Sequence, residues 1–545
     1  MSLLPNTMNS ARAYHTATLL PGGRVLLAGG YAGRDPVSGA STTTNTAELF
    51  ASASGTFTSL FPNTMSLGRQ GHTATQLPNG KVLIVGGSTG DGITTSENTD
   101  TAELFDPASG MFTLVPSTMS SRRNWHMATL LPSGKVLIAG GFGFAYRNTA
   151  DLFDPASGTF TLVQSMMSFA RNLHTATLLR GGKVLITGGR GPTGTTDTAE
   201  LFDPASNTFT TPPPMTSARM GHTATLLPSG KVLITGGLPA DAIFGNLPTS
   251  SAELFDPASG TFTALPPMTS ARTDHTATLL PSGKVLITGG DTGTRFTNAA
   301  ELFDPATGTF TALSNTMTSE RYFHKATLLP SGRVLITGGG NLLQGKIDNT
   351  AELFDPATGT FRSLPPMTAV RYFDTATLLM NGKVLITGGP GNGVSGSGNG
   401  NTAELFDAGL GFSDARRPAV STVSDPLVQP ASLVLSGTGF RGDSEASGSS
   451  FSSSATNYPL VQLMRIDSGQ TFFPLSDPAT NWSDTKFSSE TLGAVTPLPA
   501  GHYRITVYTN AIPSLQKIIY IDLPECDPER PDGPPPGCDN PGSST

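Results

Sequence analysis

Residues 272–290 read R-T-D-H-T-A-T-L-L-P-S-G-K-V-L-I-T-G-G, and close variants of this string occur eight times along the chain. Its histidine recurs as His15, His72, His126, His174, His222, His275 and His324, with Asp374 in the eighth position, at spacings of 57, 54, 48, 48, 53, 49 and 50 residues. A period near fifty marks a repeat architecture. After Gly-Gly comes a variable loop, then T-A-E-L-F-D-P, A-S-G-T-F-T and a stretch ending in M-x-x-x-R that leads into the next copy. Each copy reads as four short strands, because β-branched and apolar runs of four to seven residues alternate with Gly, Pro, Asp and Ser turns. The turns L-P-S-G-K and D-P-A-S-G-T carry glycine where a tight hairpin needs positive φ. A four-stranded sheet with two apolar faces cannot cover both alone, so the copies are expected to stack radially around an axis. H-T-A-T-L-L, rich in Ala and Thr, suits the crowded inner position. The Phe of T-F-T (Phe57, Phe160, Phe262, Phe310) suits the wider outer edge.

Composition agrees with this reading. The 545 residues include 63 Gly and 43 Pro but only 13% charged residues, which disfavours coiled coils and helical solenoids. No apolar run reaches 18 residues, so no membrane-spanning helix is expected. A net charge of -7 without a Lys/Arg cluster leaves no electrostatic footprint for nucleic acid or for an anionic membrane surface. Both cysteines, Cys526 and Cys538, fall in a Pro-rich tail, so the body has neither a disulfide framework nor Cys-ligated metal. A tail disulfide would fit an oxidising compartment, and an extracellular or envelope location is the expectation, although the N-terminus lacks the basic start and apolar core of a signal peptide.

The period, the Gly-Gly after the second strand and the aromatic before D-P together resemble a Kelch-type β-propeller over residues 1–414. Eight copies imply eight blades, seven being the alternative. The last fourth strand is degraded (A-G-L-G-F-S-D-A-R-R-P), while S-L-L-P-N-T-M at the start matches F-T-S-L-F-P-N-T-M of the next copy. Ser2 to Leu4 are therefore expected to supply the outer strand of the last blade. The fold class is all-β: a propeller, then an immunoglobulin-like (early-set) β-sandwich over 415–522, then a disordered Pro-rich tail over 523–545.

Propeller, R-R-P-A-V and a sandwich containing L-V-Q-L-M-R-I and L-P-A-G-H-Y-R-I-T-V-Y resemble, in that order, the galactose oxidase and glyoxal oxidase family. That resemblance implies one copper held by two tyrosines and two histidines, one tyrosine being crosslinked to a cysteine. The propeller has no Cys. The family's Tyr-His pair belongs in the last blade, where Tyr372-Phe373-Asp374 stands, and only Tyr14-His15 keeps it. Thr471-Phe472 occupies the place of the sandwich histidine, and phenylalanine offers copper no donor. His502 is read as a strand-end residue.

These observations predict no catalytic residue, metal or cofactor. The repeated histidines, one per blade, cannot converge on a metal and are expected to bond neighbouring strands or blades. The repeated Arg and Glu (Asp151 in the third copy) are read as a structural pair. The predicted function is a non-catalytic, monomeric binding propeller engaging a protein or glycan, the alternative being a copper-radical oxidase. Binding is placed on the end carrying the loops after Gly-Gly, on Trp125, Phe144, Tyr146, Arg147, Arg190, Phe244, Arg295, Tyr322 and Tyr372, because aromatic and Arg side chains favour hot spots.

Overall fold

A computed structural model describes residues 2–522 apart from 5–6, 21–22, 35–40, 91–97, 132, 180–181, 240–246, 330, 342–345, 380, 390–399, 408–417, 439–459, 466–470, 473–485, 493–497, 499–500, 510–511 and 514–516. The chain divides into two compact units, one holding the repeats and one holding the strands from Ala419 onward.

Each repeat folds as the hydrophobic pattern requires. In the first, Thr16–Leu19, Arg24–Ala28, Ala47–Ala51 and Thr56–Ser59 form an antiparallel sheet in chain order. Among the described residues there are eight four-stranded sheets of this kind. The second strands, such as Val285–Thr288, are buried at every residue apart from Arg24 at the start of the first, which accounts for their run of V-L-I-T without polar alternation. Outer strands alternate, and their inward Phe packs on the Phe of the third strand, with Phe50 and Phe57 rings 5.0 Å apart. The cores lie between sheets: Leu20, Leu26 and Leu49 of the first repeat meet Val82, Ile84 and Phe105 of the second. Each first strand neighbours the first strands before and after it, and Thr375–Leu378 of the last repeat neighbours Thr16–Leu19, which closes a ring of eight blades.

Closure uses the N-terminus. Ser2–Leu3 pairs with Ala403–Phe406 in the register Ser2↔Leu405 and Leu3↔Glu404, providing the fourth strand of the last sheet and covering an otherwise open edge. Leu4 is buried in the core shared by the last and first blades, beside Phe50, Leu379 and Leu405.

A second set of contacts joins blade to blade at the polar level. The guanidinium of Arg12 donates to the carbonyls of Gly29 (2.8 Å) and Thr46 (3.1 Å), and to the carboxylate of Glu48 (2.8 Å). Equivalent pairs occur in all eight blades, from Arg69–Glu103 through Arg123–Asp151 to Arg371–Glu404, each side chain at most 2% exposed. The arginine's own carbonyl then accepts from the second glycine of the preceding blade: Gly30 N to Arg69 O at 2.8 Å, and so around to Gly389 N to Arg12 O at 3.0 Å. The two glycines are needed. Gly29 and Gly30 have φ of +63° and +109°, and a Cβ on Gly29 would lie 2.5 Å from the Arg69 carbonyl oxygen.

The histidines complete the joint. Nε2 of His72 bonds the Thr16 hydroxyl of the preceding blade (3.1 Å), and His126, His222, His275, His324 and His15 likewise reach threonines. His174 departs from the expectation, because the positions that should offer it hydroxyls are Met127 and Ala139, and its Nε2 has no hydrogen-bond partner. Burial drives these rings well below the usual imidazole range, so they are neutral hydrogen-bonding groups.

In the second unit, Ala419–Val423, Ala431–Thr438 and Lys486–Leu492 form one sheet, and Leu427–Val428, Lys517–Asp522, Gly501–Thr509, Leu460–Arg465 and Thr471–Phe472 form another. Alternate residues are buried, Leu433 and Leu435 in the first sheet and Tyr503, Ile505 and Val507 in the second, as strands with one covered face require. His502, on the opposite row, is exposed with its ring edge-on to Tyr520. Cys526, Cys538 and the tail from 523 lie outside the described residues.

Deleting residues 1–5 is expected to lower unfolding free energy by about 2.5–6 kcal/mol, the sum of one buried Leu and two ladder bonds. Urea unfolding with an unchanged midpoint would show that Ser2–Leu4 does not close the ring.

Candidate functional site

The residue immediately before each repeat histidine, or before Asp374 in the eighth copy, varies from blade to blade: Tyr14, Gly71, Trp125, Leu173, Gly221, Asp274, Phe323 and Phe373. All eight occupy the left-handed region, with φ between +52° and +63°. This turn aims the side chain away from the histidine that follows. It also lets backbone amides link neighbouring blades: Tyr14 N to Phe373 O (3.2 Å), Trp125 N to Gly71 O (3.1 Å) and Asp274 N to Gly221 O (3.0 Å). The eight residues thus form an inner ring at one mouth of the propeller. The post-Gly-Gly loops start at the same end. The residue two before the histidine bridges the residue after Gly-Gly, as in Ala13↔Tyr31, Asn124↔Phe142 and Thr273↔Asp291.

On about half of this ring the side chains are aromatic and touch one another. Tyr14 stacks on Phe373 (centroids 4.2 Å), Phe373 meets Phe323 (5.0 Å) and Tyr372 (4.7 Å), and Phe323 meets Tyr322 (4.4 Å). Tyr322 in turn lies flat on Phe296 at 4.2 Å and 9°. Trp125 stands further round, 6.3 Å from Tyr14, its indole lying across Gly71, where a Cβ would come within 3.0 Å of Nε1. Burial pushes the Tyr14, Tyr322 and Tyr372 phenols upward, so all three are protonated at neutral pH.

Asp274 supplies the contrast. Its carboxyl leans over Gly221 with only a long contact from the Thr273 hydroxyl (3.4 Å), and burial together with nearby Asp291 pushes its pKa up to about 7. Asp291 is raised as well, chiefly by burial, although the Gly293 amide donates to it at 2.7 Å. Apolar rings with two carboxyls at one edge can hold a planar or apolar group while donating to or accepting from its polar margin.

Of the residues predicted from sequence, Trp125, Tyr322 and Tyr372 belong to this ring or its rim. Phe144 is 60% exposed at the tip of the third blade's loop, where Tyr146 packs edge-on against Phe142 (5.1 Å) and Arg147 folds across Gly143; they form a separate patch. Arg190 is half-buried in a short ribbon with Thr195, and Arg295 is exposed beside Phe296. Phe244 lies outside the described residues. Tyr14, Phe323, Phe373 and Asp274 are not among the binding residues predicted from sequence, where Tyr14 and Phe373 enter only at the positions compared with copper ligands. Their signal was the second of the two variable positions inside an otherwise constant R-x-x-H, the one that alternates between glycine and large side chains. The opposite end is uniform, with Lys81–Asp106, Lys183–Asp203, Lys231–Asp256 and Lys284–Asp304 repeating the same surface ion pair.

The donors that copper needs do not converge. His15, next to Tyr14, turns the other way, between the blades, where Nε2 bonds Thr387 (3.0 Å) and Thr375 (3.3 Å). Thr471–Phe472 is a strand paired with Leu463 and Met464, and Phe472 carries no donor atom. Among the described residues no group of three or more His, Cys, Asp or Glu is placed to hold a metal ion. These residues do not fit the copper-radical centre.

Residues 173–389 match the model of the KLHDC2/KLHL20/DRC7 Kelch-repeats domain. Among curated proteins none matches the chain in sequence. Among solved structures, one with the same fold is a fungal alcohol oxidase of the AA5 family in complex with copper, 18% identical, with a TM-score of 0.50 over 83% of this chain and 96% of that one. The repeats within residues 173–389 match Kelch repeats, and the chain shares its fold with that AA5 alcohol oxidase.

Two outcomes follow from this geometry. Between pH about 4 and 7 the folded chain retains on Asp274 a proton that the unfolded chain has released, so stability falls as pH rises through that window. Asp274→Asn should flatten this decline, and parallel urea midpoints for variant and wild type from pH 4 to 8 would contradict it. Protein purified after copper loading should contain well under one copper per chain, and a stoichiometric metal content with radical absorption would overturn the donor argument.

Proposed function

We propose that this chain is a non-catalytic binding propeller that engages a protein or glycan at its loop-bearing mouth. The observation that carries the reading is the run of touching aromatic side chains from Phe296 through Tyr322, Phe323 and Phe373 to Tyr14, set in a scaffold whose other repeated groups are consumed by packing. Rigid aromatic surface costs little side-chain entropy when a partner covers it, and anchors of this type dominate binding energies. The loop residues Phe144, Tyr146, Arg147, Arg190 and Arg295 surround the mouth as secondary contacts. Cys526 and Cys538, two cysteines that would close a small disulfide loop in an oxidising compartment, support a place outside the cell or in its envelope, with the chain acting as a monomer.

The alternative, a copper-radical oxidase of alcohols or aldehydes, is favoured by the similarity to the AA5 alcohol oxidase and by the Tyr14-His15 pair. The direction of His15 argues against it.

Glycan arrays and pull-downs with the full chain test the first reading. Once a ligand is retained, Tyr14→Ala, Trp125→Ala and Tyr322→Ala should each weaken it by roughly tenfold to a hundredfold, the range of interface hot spots. Ser229→Arg and Ser282→Arg at the opposite turns should leave it unchanged. Binding lost at the turns and kept at the ring would place recognition on the other end; peroxide released from primary alcohols would favour the oxidase.

A further inference from the structure

The joint between the seventh and eighth blades breaks the rule followed by most of the others. Where the seventh blade should offer a threonine hydroxyl it has Lys325, and where the eighth should have histidine it has Asp374. The two changes face each other, and the charge of Lys325 is felt at Asp374. Yet neither carboxyl oxygen of Asp374, a residue only 2% exposed, has a hydrogen-bond partner. The exchange also opens space. In the other seven joints a Cβ on the first glycine would strike the imidazole Cε1 at 2.6–2.8 Å, whereas at Gly338 its three nearest atoms all belong to Arg371. Phe373, Phe323 and Tyr14 belong to the inner ring at this joint, and Lys325, on an innermost strand, keeps part of its surface exposed.

We propose that Lys325 is a carbonyl-reactive amine, with Asp374 as its proton donor, in a small site by the aromatic ring that takes aldehydes or ketones. The pair exists either as ammonium and carboxylate or as amine and carboxylic acid, two states with the same number of protons. Burial penalises the two charges, lowering Lys325 and raising Asp374, and no direct hydrogen bond returns that cost. Of the other titratable groups facing the pair, His15 and His324 are neutral, Arg321 is bonded to Glu352, and Arg371, bonded to Glu404, still favours the Asp374 carboxylate, an effect that burial outweighs. The neutral pair is the form that carbonyl addition requires. The Lys325 nitrogen lone pair forms the N–C bond while the carbonyl oxygen takes the Asp374 proton. Loss of that oxygen as water, with the two amine hydrogens accounted for in the water and the returned Asp374 proton, leaves an imine. No oxidant or reductant is consumed. The inference is independent of the binding reading, since the loop face could engage a partner without it.

Propanal with sodium cyanoborohydride at pH 7, followed by peptide mass mapping, tests it directly. Lys325 should be propylated at least roughly tenfold faster than exposed Lys81, Lys183 and Lys284, the factor given by one unit of amine pKa. Lys325→Arg should lose the label at this peptide while keeping the wild-type urea midpoint within error or above that of Lys325→Ala. Asp374→Asn should slow labelling of Lys325 at least tenfold, as expected when a general acid is removed. The double variant Lys325→Thr/Asp374→His, which restores the repeat, should fold and remain unlabelled there. Labelling of Lys325 no faster than that of the exposed lysines overturns the proposal, and an Asp374→Asn variant that labels like wild type removes Asp374 from it.

Discussion

Everything in the propeller is built around one hydrogen bond, from the second glycine of each blade to the carbonyl of the next blade's arginine. It works because the arginine cannot move. Its guanidinium is shared between two backbone carbonyls and a carboxylate of its own blade, so the carbonyl presented to the preceding blade is fixed by five or more contacts. A buried ion pair of this kind adds little net stability, but removing one partner typically costs about 3–5 kcal/mol, which makes it a device for position more than for energy. Repeated eight times and closed from Gly389 to Arg12, it sets the angle between blades independently of the apolar packing between them.

That device explains what could be read from the sequence. Arg, Gly-Gly, His and Glu recur because each has its polar atoms or its missing Cβ committed to the joint, so the four-stranded repeats and the structural pairing of Arg with the carboxylate were legible from the repeated string. The donated strand was legible too, since Ser2 to Leu4 repeats an outer-strand sequence that the last copy lacks. The candidate site was only partly legible. Large side chains in variable loops drew attention to Phe144 and Arg295, whereas the contiguous surface is made by residues inside the repeat string. Their convergence comes from a left-handed backbone at the position before the histidine, and nothing in composition or period reports a sign of φ. Likewise, a missing hydroxyl at Met127 becomes visible only when His174 is seen without its partner.

Positive φ at six non-glycine residues has an energetic meaning. Each costs about 1–2 kcal/mol relative to the right-handed region, and glycine would relieve it at every one. Gly71 and Gly221 show that the backbone accepts the relief, so the other six are retained against a standing penalty. The hydrogen bonds described for the joint run through main chain, Arg, His and Thr, so the return on this strain at Tyr14, Phe323 and Phe373 lies in their stacking across blades and in the surface they present, and residues held in such backbone regions are candidates for function.

The ring is also lopsided in a way that bears on recognition. Blades seven, eight and one bring Phe323, Phe373 and Tyr14 into contact, blades five and six bring Gly221 and Asp274, and blades two and four bring Gly71 and Leu173. A partner seated on the axis therefore meets rings on one side and a hydrogen-bonding carboxyl near neutrality on another, so an eightfold scaffold presents a surface with a single preferred orientation. The Lys325–Asp374 exchange falls under the aromatic side of that surface, between Phe323 and Phe373 in the chain's own order of blades. Departures from the repeat that cluster at one joint and one mouth are hard to attribute to drift in the scaffold, because the Arg, Glu and Gly-Gly elements of the same two blades are intact. The physical distinction is between groups that hold the ring, which are uniform, and groups that face its opening, which are not.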